Sequence, residues 1–186
     1  MNKHLRELLA DYKNSKYITE HELSLIEQFL QLMDQRPDCF GRVGAAPGEA
    51  LAKKGHITAS AWIINPENSA ALLTHHKKLN KWLQLGGHCD GNPDVAATAL
   101  REAQEESGMQ TFEFIIPGVF DIDIHAIPNS CEYHYDIRFL LQAKDSNFII
   151  SDESHNLAWV TFDRMHEYAQ EESVLRMNNK YLNFKA

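Results

Sequence analysis

The chain has 186 residues, a formal net charge of −8 and a sequence pI of about 5.6, and 44% of it is hydrophobic. That size suits one domain with an appendage, and the apolar share suffices for a full core. The same figures argue against several classes of protein. An acidic chain without a basic patch grips a phosphate backbone poorly, no apolar run approaches the roughly 18 residues of a membrane span, and the charged start M-N-K-H-L-R-E lacks a signal-peptide core.

Residues 3–13 read as a short amphipathic helix with Leu5, Leu8, Leu9 and Tyr12 on one face. Thr19 opens a capping box with Glu22, and Leu23, Ile26, Phe29, Leu30 and Met33 continue a helical stripe to Arg36-Pro37. The expected division is therefore a helical extension over 1–36 and a main domain over 37–186. The apolar stripe packs on the main domain in the simpler reading and forms a homodimer contact in the alternative. Residues 37–55, with two prolines and four glycines, read as a loop in which Lys53 and Lys54 are solvated or phosphate-facing. H-I-T-A-S-A-W-I-I, His56–Ile64, reads as a buried strand, Asn65–Asn68 as a turn, and Ala70–His75 as a returning strand. Trp82–Leu85 then leads into a glycine pair.

From Gly86 to Met109 the sequence is G-G-H-C-D-G-N-P-D-V-A-A-T-A-L-R-E-A-Q-E-E-S-G-M. Asn92 is the expected N-cap, with Pro93 at the first helical position, Asp94 in the first turn and Gly108 as the left-handed stop. At about 100° per residue, Glu102, Glu105 and Glu106 share roughly a 100° arc, while Ala96, Ala99, Leu100 and Ala103 make a small apolar side. Acids at this spacing repel one another, an effect that Arg101 offsets in part through Glu105 at i, i+4. Oxygen clusters of this kind suit hard divalent cations. Alone, E-x-x-E-E reads as a solvated helix face; the glycine pair, the cap and the R-E-x-x-E-E-x-G order reverse that weighting.

Beyond the helix, Phe112–His125 reads as a strand interrupted at Pro117-Gly118, and Pro128–Ser130 as a turn. Glu132–Gln142 returns, with His134, Asp136 and Arg138 alternating against Tyr133, Tyr135, Ile137 and Phe139, so the polar side chains of this hairpin share a face that lines a pocket or meets water. Its histidines lack the compact spacing of a zinc site. Ser151–His155 is a polar loop, Leu157–Val160 a last strand, and Phe162–Ala169 a closing helix, with the tail after it a further helical candidate. Of the three cysteines, Cys39, Cys89 and Cys131, none forms a C-x-x-C pair. Cys89, inside the glycine loop, is a small loop residue or a reactive thiol. Low cysteine use fits a reducing cytoplasm.

The stretch Gly87–Met109 resembles the Nudix box, G-x5-E-x7-R-E-U-x-E-E-x-G-U with U a bulky apolar residue. Gly87, Arg101, Glu102, Glu105, Glu106, Gly108 and Met109 match; Ala103 is smaller than usual at the first U, and Pro93 stands where the box has its isolated glutamate. The resemblance implies an α/β/α sandwich with a mixed sheet. It also implies hydrolysis of the diphosphate bond in a nucleoside diphosphate linked to another moiety, with Mg²⁺ or Mn²⁺ as cofactor. By the same resemblance Glu102 and Glu106 are principal metal ligands and Glu105 a further ligand or the base that activates water. Gly86 contributes its carbonyl, Arg101 orients the acids, and Glu153, near the last strand, joins the metal site. Two alternatives stay open: a nucleotide-sensing module that does not cleave, and a diphosphate isomerase or a hydrolase of non-nucleotide substrates. ADP-ribose, sugar nucleotides, nucleoside triphosphates, dinucleoside polyphosphates and coenzymes are all open as substrates. Phe120, Tyr133 and Tyr135 are candidates to stack on a base, with core packing the simpler role for at least two of them.

Overall fold

Two strands rich in β-branched and aromatic residues carry the architecture. Every residue of β1 (Gly55–Ile64) is buried, and β7 (Tyr133–Ala143) is buried along most of its length. They pair in parallel over ten residues, from Gly55 opposite Tyr133 to Ile64 opposite Gln142. A parallel pair covered on both faces is usually apolar throughout; here the first half of each strand alternates, with His56, Thr58, Ser60, His134, Asp136 and Arg138 on one face. The computed structural model describes residues 2–42, 54–127 and 132–185, so Lys53, Cys131 and the expected turn at 128–130 lie outside the described residues.

Around this pair an eight-stranded mixed sheet assembles. β2 (Ala70–His76) folds back from β1 through a turn in which the Asn65 side chain accepts hydrogen bonds from the Ser69 and Ala70 amides. β8 (Ser154–Thr161) lines β2 on its other edge. β3 (Lys81–Leu83) pairs with β2, but one residue later β4 (Leu85–His88) pairs with β1, so the chain crosses at Gln84 from one half of the sheet to the other. β5 (Phe112–Phe114) and β6 (Asp121–Ala126) share the far edge of β7. The single strand expected over 112–125 is thus two, divided by 115–120, where Gly118 takes a φ of 158°. The expected glycine loop is strand β4, and Ser154 and His155 belong to β8 rather than to the preceding loop.

Alternation along β1 and β7 separates two faces. Ile57, Ala59, Tyr135, Ile137 and Phe139 point to a core shared with α1 (Lys3–Lys13), α2 (Glu20–Gln35) and α3 (Val95–Ser107). Trp62, Ile64 and Leu140 point the other way, into a core closed by α4 (Met165–Tyr168) and α5 (Glu172–Lys185). Where one closing helix was expected over 162–169, a 3₁₀ turn at Phe162–Arg164 precedes the short α4, and the tail is the longer helix. The result is an α/β sandwich with helices on both faces of a mixed sheet.

The N-terminal stripe is used within the chain. The capping box forms: the Glu22 amide donates to the Thr19 hydroxyl at 3.3 Å, and the Thr19 amide donates to the Glu22 carboxylate at 2.9 Å. The stripe is rotated from the expected one. Leu25 and Leu32 are buried with Ile26, Phe29 and Met33, while Leu23 is 38% exposed. The reason is Glu22 itself, which is fully buried and hydrogen-bonds Tyr12 and Lys180 of α5. Lys180 also donates to Asp121 at 2.8 Å and to the Phe120 carbonyl at 3.2 Å, and Asp121 is held as well by Arg138 and Arg176.

Removing one partner of a buried ion pair strands the other charge. Lys180→Met is therefore expected to cost about 3–5 kcal/mol in urea unfolding, and adding Glu22→Gln should recover part of that loss. A loss below about 1 kcal/mol would mean that the pair is not made in solution.

Candidate active site

Helix α3 begins two residues later than its sequence suggests. Asp94, not Asn92, is the N-cap: its backbone is extended and its carboxylate accepts from the Ala97 amide at 2.9 Å. Asn92 instead accepts from the Asp94 amide at 3.0 Å, in an Asx turn that shapes the approach, and Pro93 precedes the helix. Both Asn and Asp cap well, and Asp94 is the one that reaches the third amide. At the far end Gly108 adopts a left-handed φ of 73° and donates to the Gln104 carbonyl.

The small apolar side of α3 packs as expected, with Ala99 and Ala103 fully buried. Small residues here and a glycine pair on β4 bring helix and strand close. A Cβ on Gly87 would lie 2.6 Å from the Glu102 carboxylate, and one on Gly86 would lie 2.2 Å from the Ser60 Cβ. The Gly86 amide donates to Glu106 Oε1 at 2.8 Å, so strand β4 fixes one of the acids directly. Arg101 grips the others: Nη1 donates to Glu105 Oε2 at 2.8 Å and Nη2 lies 2.7 Å from Glu102 Oε1, while Nη2 also donates to the His88 carbonyl at 2.9 Å. The sequence indicated the Glu105 contact; the Glu102 and His88 contacts appear only once β4 lies beside the helix.

The three glutamates differ sharply in environment. Glu106 is buried, Glu102 half-buried and Glu105 exposed. Burial pushes the Glu106 carboxyl up to about 8, against the pull of the Gly86 amide and with added repulsion from Glu102, Glu153 and Glu105. Glu102 is also raised, by burial first, with Arg101 opposing. Glu153 is exposed just before β8 in sequence, and its charge acts on both Glu102 and Glu106. The structure thus brings Gly86, Glu102 and Glu106 together, with Arg101 joining Glu102 to the exposed Glu105, and leaves Glu153 within electrostatic range of the pair.

On the opposite face, the alternating polar residues towards the Arg138 end of β6 and β7 bond to one another. Arg138 is 1% exposed and donates to Asp136, Asp121 and Asp123 at 2.8, 3.0 and 3.1 Å. Burial alone would raise Asp121 and Asp123, but the surrounding cations, with His125 beside Asp123, hold both below the usual carboxylate range. Phe120 and Tyr135 are fully buried and belong to the cores, which leaves Tyr133, partly buried, as the remaining candidate for stacking. Cys89 is 3% exposed and burial lifts its thiol to about 12, so the reactive-thiol reading is set aside.

Sequence spacing also missed a histidine cluster. His56 of β1, His88 of β4 and His134 of β7 bring one ring nitrogen each to within 4.8 Å of the others. The ligands come from three strands far apart in sequence, which is why no compact motif announced them. Burial, reinforced by Arg42 and then His56, lowers His88 to about 4; burial, reinforced by His125 and then His56 and His88, lowers His134 to about 3.

Comparison with known proteins bears on the same residues. A family model described as the NUDIX domain matches residues 54–178. A search among curated proteins finds no match. Among solved structures, a NUDIX-family hydrolase from Clostridium perfringens is similar at 23% identity and a TM-score of 0.57, over 70% of this chain and 98% of that one. An Ap4A hydrolase of C. elegans, in a binary complex, is 16% identical with a TM-score of 0.62, over 69% and 96% of the two chains. The NUDIX domain of Shewanella oneidensis NrtR, complexed with ADP ribose, is 13% identical with a TM-score of 0.55, over 70% and 88%. At these identities the structures show the shared fold.

The Glu106 environment has a pH signature. Because burial raises its folded-state carboxyl from 4.5 to about 8, it favours the folded state below about 4.5 and loses that contribution as pH rises through about 8. In metal-free buffer Glu106→Gln should flatten this decline. It should also stabilise the protein at pH 8 by about 1–3 kcal/mol, the usual scale for an uncompensated buried polar group. Denaturant unfolding at pH 5 and pH 8 checks this, and equal pH dependence of variant and wild type would count against it.

Proposed function

The chain belongs to the Nudix family, and from that premise we propose that it is a divalent-metal-dependent hydrolase of the diphosphate bond in a nucleoside diphosphate linked to another moiety. The observation that supports this most is the convergence of Glu102 and Glu106 beside a glycine pair that only glycine can fill. A helix does not gain by burying a carboxyl against two further acids; the arrangement is reasonable only if a cation joins it.

The residues fit such an ion. The donors are all hard oxygens, which suits Mg²⁺ or Mn²⁺. In this reading Glu102, Glu106 and the Gly86 carbonyl hold it, with Glu105 and Glu153 as further oxygen donors. When bound, a divalent ion there makes water a better nucleophile and offsets the charge of the diphosphate. The chain's own side chains do the rest. In this reading Glu105, exposed and bonded to Arg101, takes a proton from the attacking water or serves as a further ligand. Arg101 is a positioning residue: it ties Glu102 and Glu105 to the His88 carbonyl and so to strand β4. Glu106, fixed by the Gly86 amide, keeps the acid cluster at a set distance from that strand.

The substrate class is a small nucleoside diphosphate derivative, of the ADP-ribose, nucleotide-sugar or nucleotide type. The acidic surface makes nucleic acid an unsuitable ligand, and among the described residues no helix is long and apolar enough to cross a membrane. Free, buried Cys39 and Cys89 fit a reducing compartment, which supports the cytoplasm as its location. The α2 stripe is buried within one chain, so it does not itself call for a second copy.

Phosphate release should be screened across nucleoside diphosphate derivatives with Mg²⁺, with Mn²⁺ and with chelator. Glu102→Gln and Glu106→Gln should each lower kcat on the order of 10²-fold or more, about 2.7 kcal/mol of lost transition-state stabilisation. Full turnover in excess chelator would sink the metal mechanism. Tight nucleotide binding with no bond cleavage would favour the sensing alternative, and rearrangement without hydrolysis the isomerase.

A further inference from the structure

Parallel pairing of β1 and β7 sets His56 directly opposite His134, and β6 adds His125 to the same row. On the other edge of β1, Thr58 faces His88 of β4. The rings of His56, His88 and His134 consequently meet. Their centroids are 5.1 Å apart for His56 and His88, 4.9 Å for His56 and His134, and 5.0 Å for His88 and His134.

This trio has an unfilled requirement. His56 is 2% exposed, yet neither of its ring nitrogens has a hydrogen-bond partner, and Nε2 of His134 is likewise buried and unpartnered. A neutral imidazole carries one N–H and one lone pair, and leaving either unmatched in the interior costs free energy. One ring nitrogen from each of the three lies within 4.8 Å of the others, and a cation between them would match the unpartnered lone pairs of His56 and His134 once the stacked His56 and His88 rings turn towards it. A carboxylate oxygen of Glu132 stands 3.7 Å from His56 Nδ1.

We propose that His56, His88 and His134 form a binding site for an imidazole-preferring divalent transition ion of the Zn²⁺ type, separate from the glutamate site on α3. Tetrahedral Zn²⁺ with bonds of about 2.0–2.1 Å sets its nitrogen ligands about 3.3 Å apart. From a widest separation of 4.8 Å the rings need draw together by no more than about 1.5 Å, within reach of small side-chain rotations. His88 and His134 are partly exposed, so the trio meets solvent on their side, where water or an anionic group can take a fourth position. Separation from the other site follows from the pleat. Gly87 faces Glu102, whereas its neighbours along β4, Gly86 and His88, face the opposite side. The donor chemistry separates the two as well, nitrogen on one face and hard oxygen on the other.

Co²⁺ is the informative probe, because its visible absorption is intense in a tetrahedral site and weak in an octahedral one. The metal-free full chain should bind one equivalent of Co²⁺ with the intense spectrum, and Zn²⁺ should displace it. The Glu102→Gln/Glu106→Gln double variant should keep that spectrum. His134→Gln and His88→Gln, both at partly exposed positions and checked for fold by circular dichroism, should lose it. Affinity should weaken by more than the 10–100-fold typical of losing a ligand's hydrogen-bond partner. As a readout independent of substitution, Zn²⁺ should shift the imidazole nitrogen resonances of three histidines in the wild-type protein. No intense Co²⁺ spectrum in the wild type would overturn the site, as would its persistence in both histidine variants. Loss of the spectrum in the glutamate double variant would overturn the claim of a separate site, while leaving the hydrolase reading to its own test.

Discussion

The ten-residue parallel pairing of β1 with β7 is the constraint on which the rest of this molecule depends. Once Gly55–Ile64 lies against Tyr133–Gln142 in that register, each row across the sheet is decided. One parity of both strands is apolar and receives α1, α2 and α3; the other is polar at one end and apolar at the other, and receives α4 and α5 over its apolar end, while Arg176 and Lys180 of α5 reach the charged row through Asp121. A slip of one residue would exchange the faces, putting Arg138 and Asp136 into the apolar core and Tyr135 and Phe139 into the charged row. The register is therefore held by the large cost of every alternative rather than by any single bond.

The same pairing explains why the acid cluster can exist. β4 is anchored to β1 through Thr58–Ala61, and β4 in turn carries the glycine pair against which α3 packs. Helix and strand touch only because alanines line one and glycines the other. Into that close contact the chain places carboxyls whose mutual repulsion and burial work against folding. Such a conflict between local stability and the remaining pattern is what a functional site produces, and here it is confined to one helix face while the opposite face of α3 is an ordinary core contact.

Much of this was legible in the residues. The box helix, its glycine stop, the capping box at Thr19 and the order of strands follow from short-range rules that depend on a few neighbouring side chains. What escaped was decided at long range. Asn92 and Asp94 are both good caps, and only the position of α3 against β4 selects Asp94. The stripe of α2 turned because Glu22, polar and so excluded from an apolar count, is drawn inward by Lys180, 158 residues away. The polar alternation in β6 and β7 was visible, but whether it met water depended on Arg176 and Lys180, which lie on a helix that sequence periodicity alone could not place. The three histidines came together for the same reason: cross-strand neighbours are set by register, and register is not written in local spacing.

The Glu22–Lys180 contact has a further consequence for how the protein is made. Two acids that end fully buried, Glu22 and Asp121, are synthesised well before the cations of α5 that neutralise them. At roughly 5–20 residues per second, the 158 positions between Glu22 and Lys180 take on the order of 8–30 s to translate. Once β7 is made, the two N-terminal helices can settle on the sheet before α5 arrives only by burying Glu22 without its cation, as a charge or as a protonated acid. The final packing of α1 and α2 is thus complete only when α5 supplies Lys180.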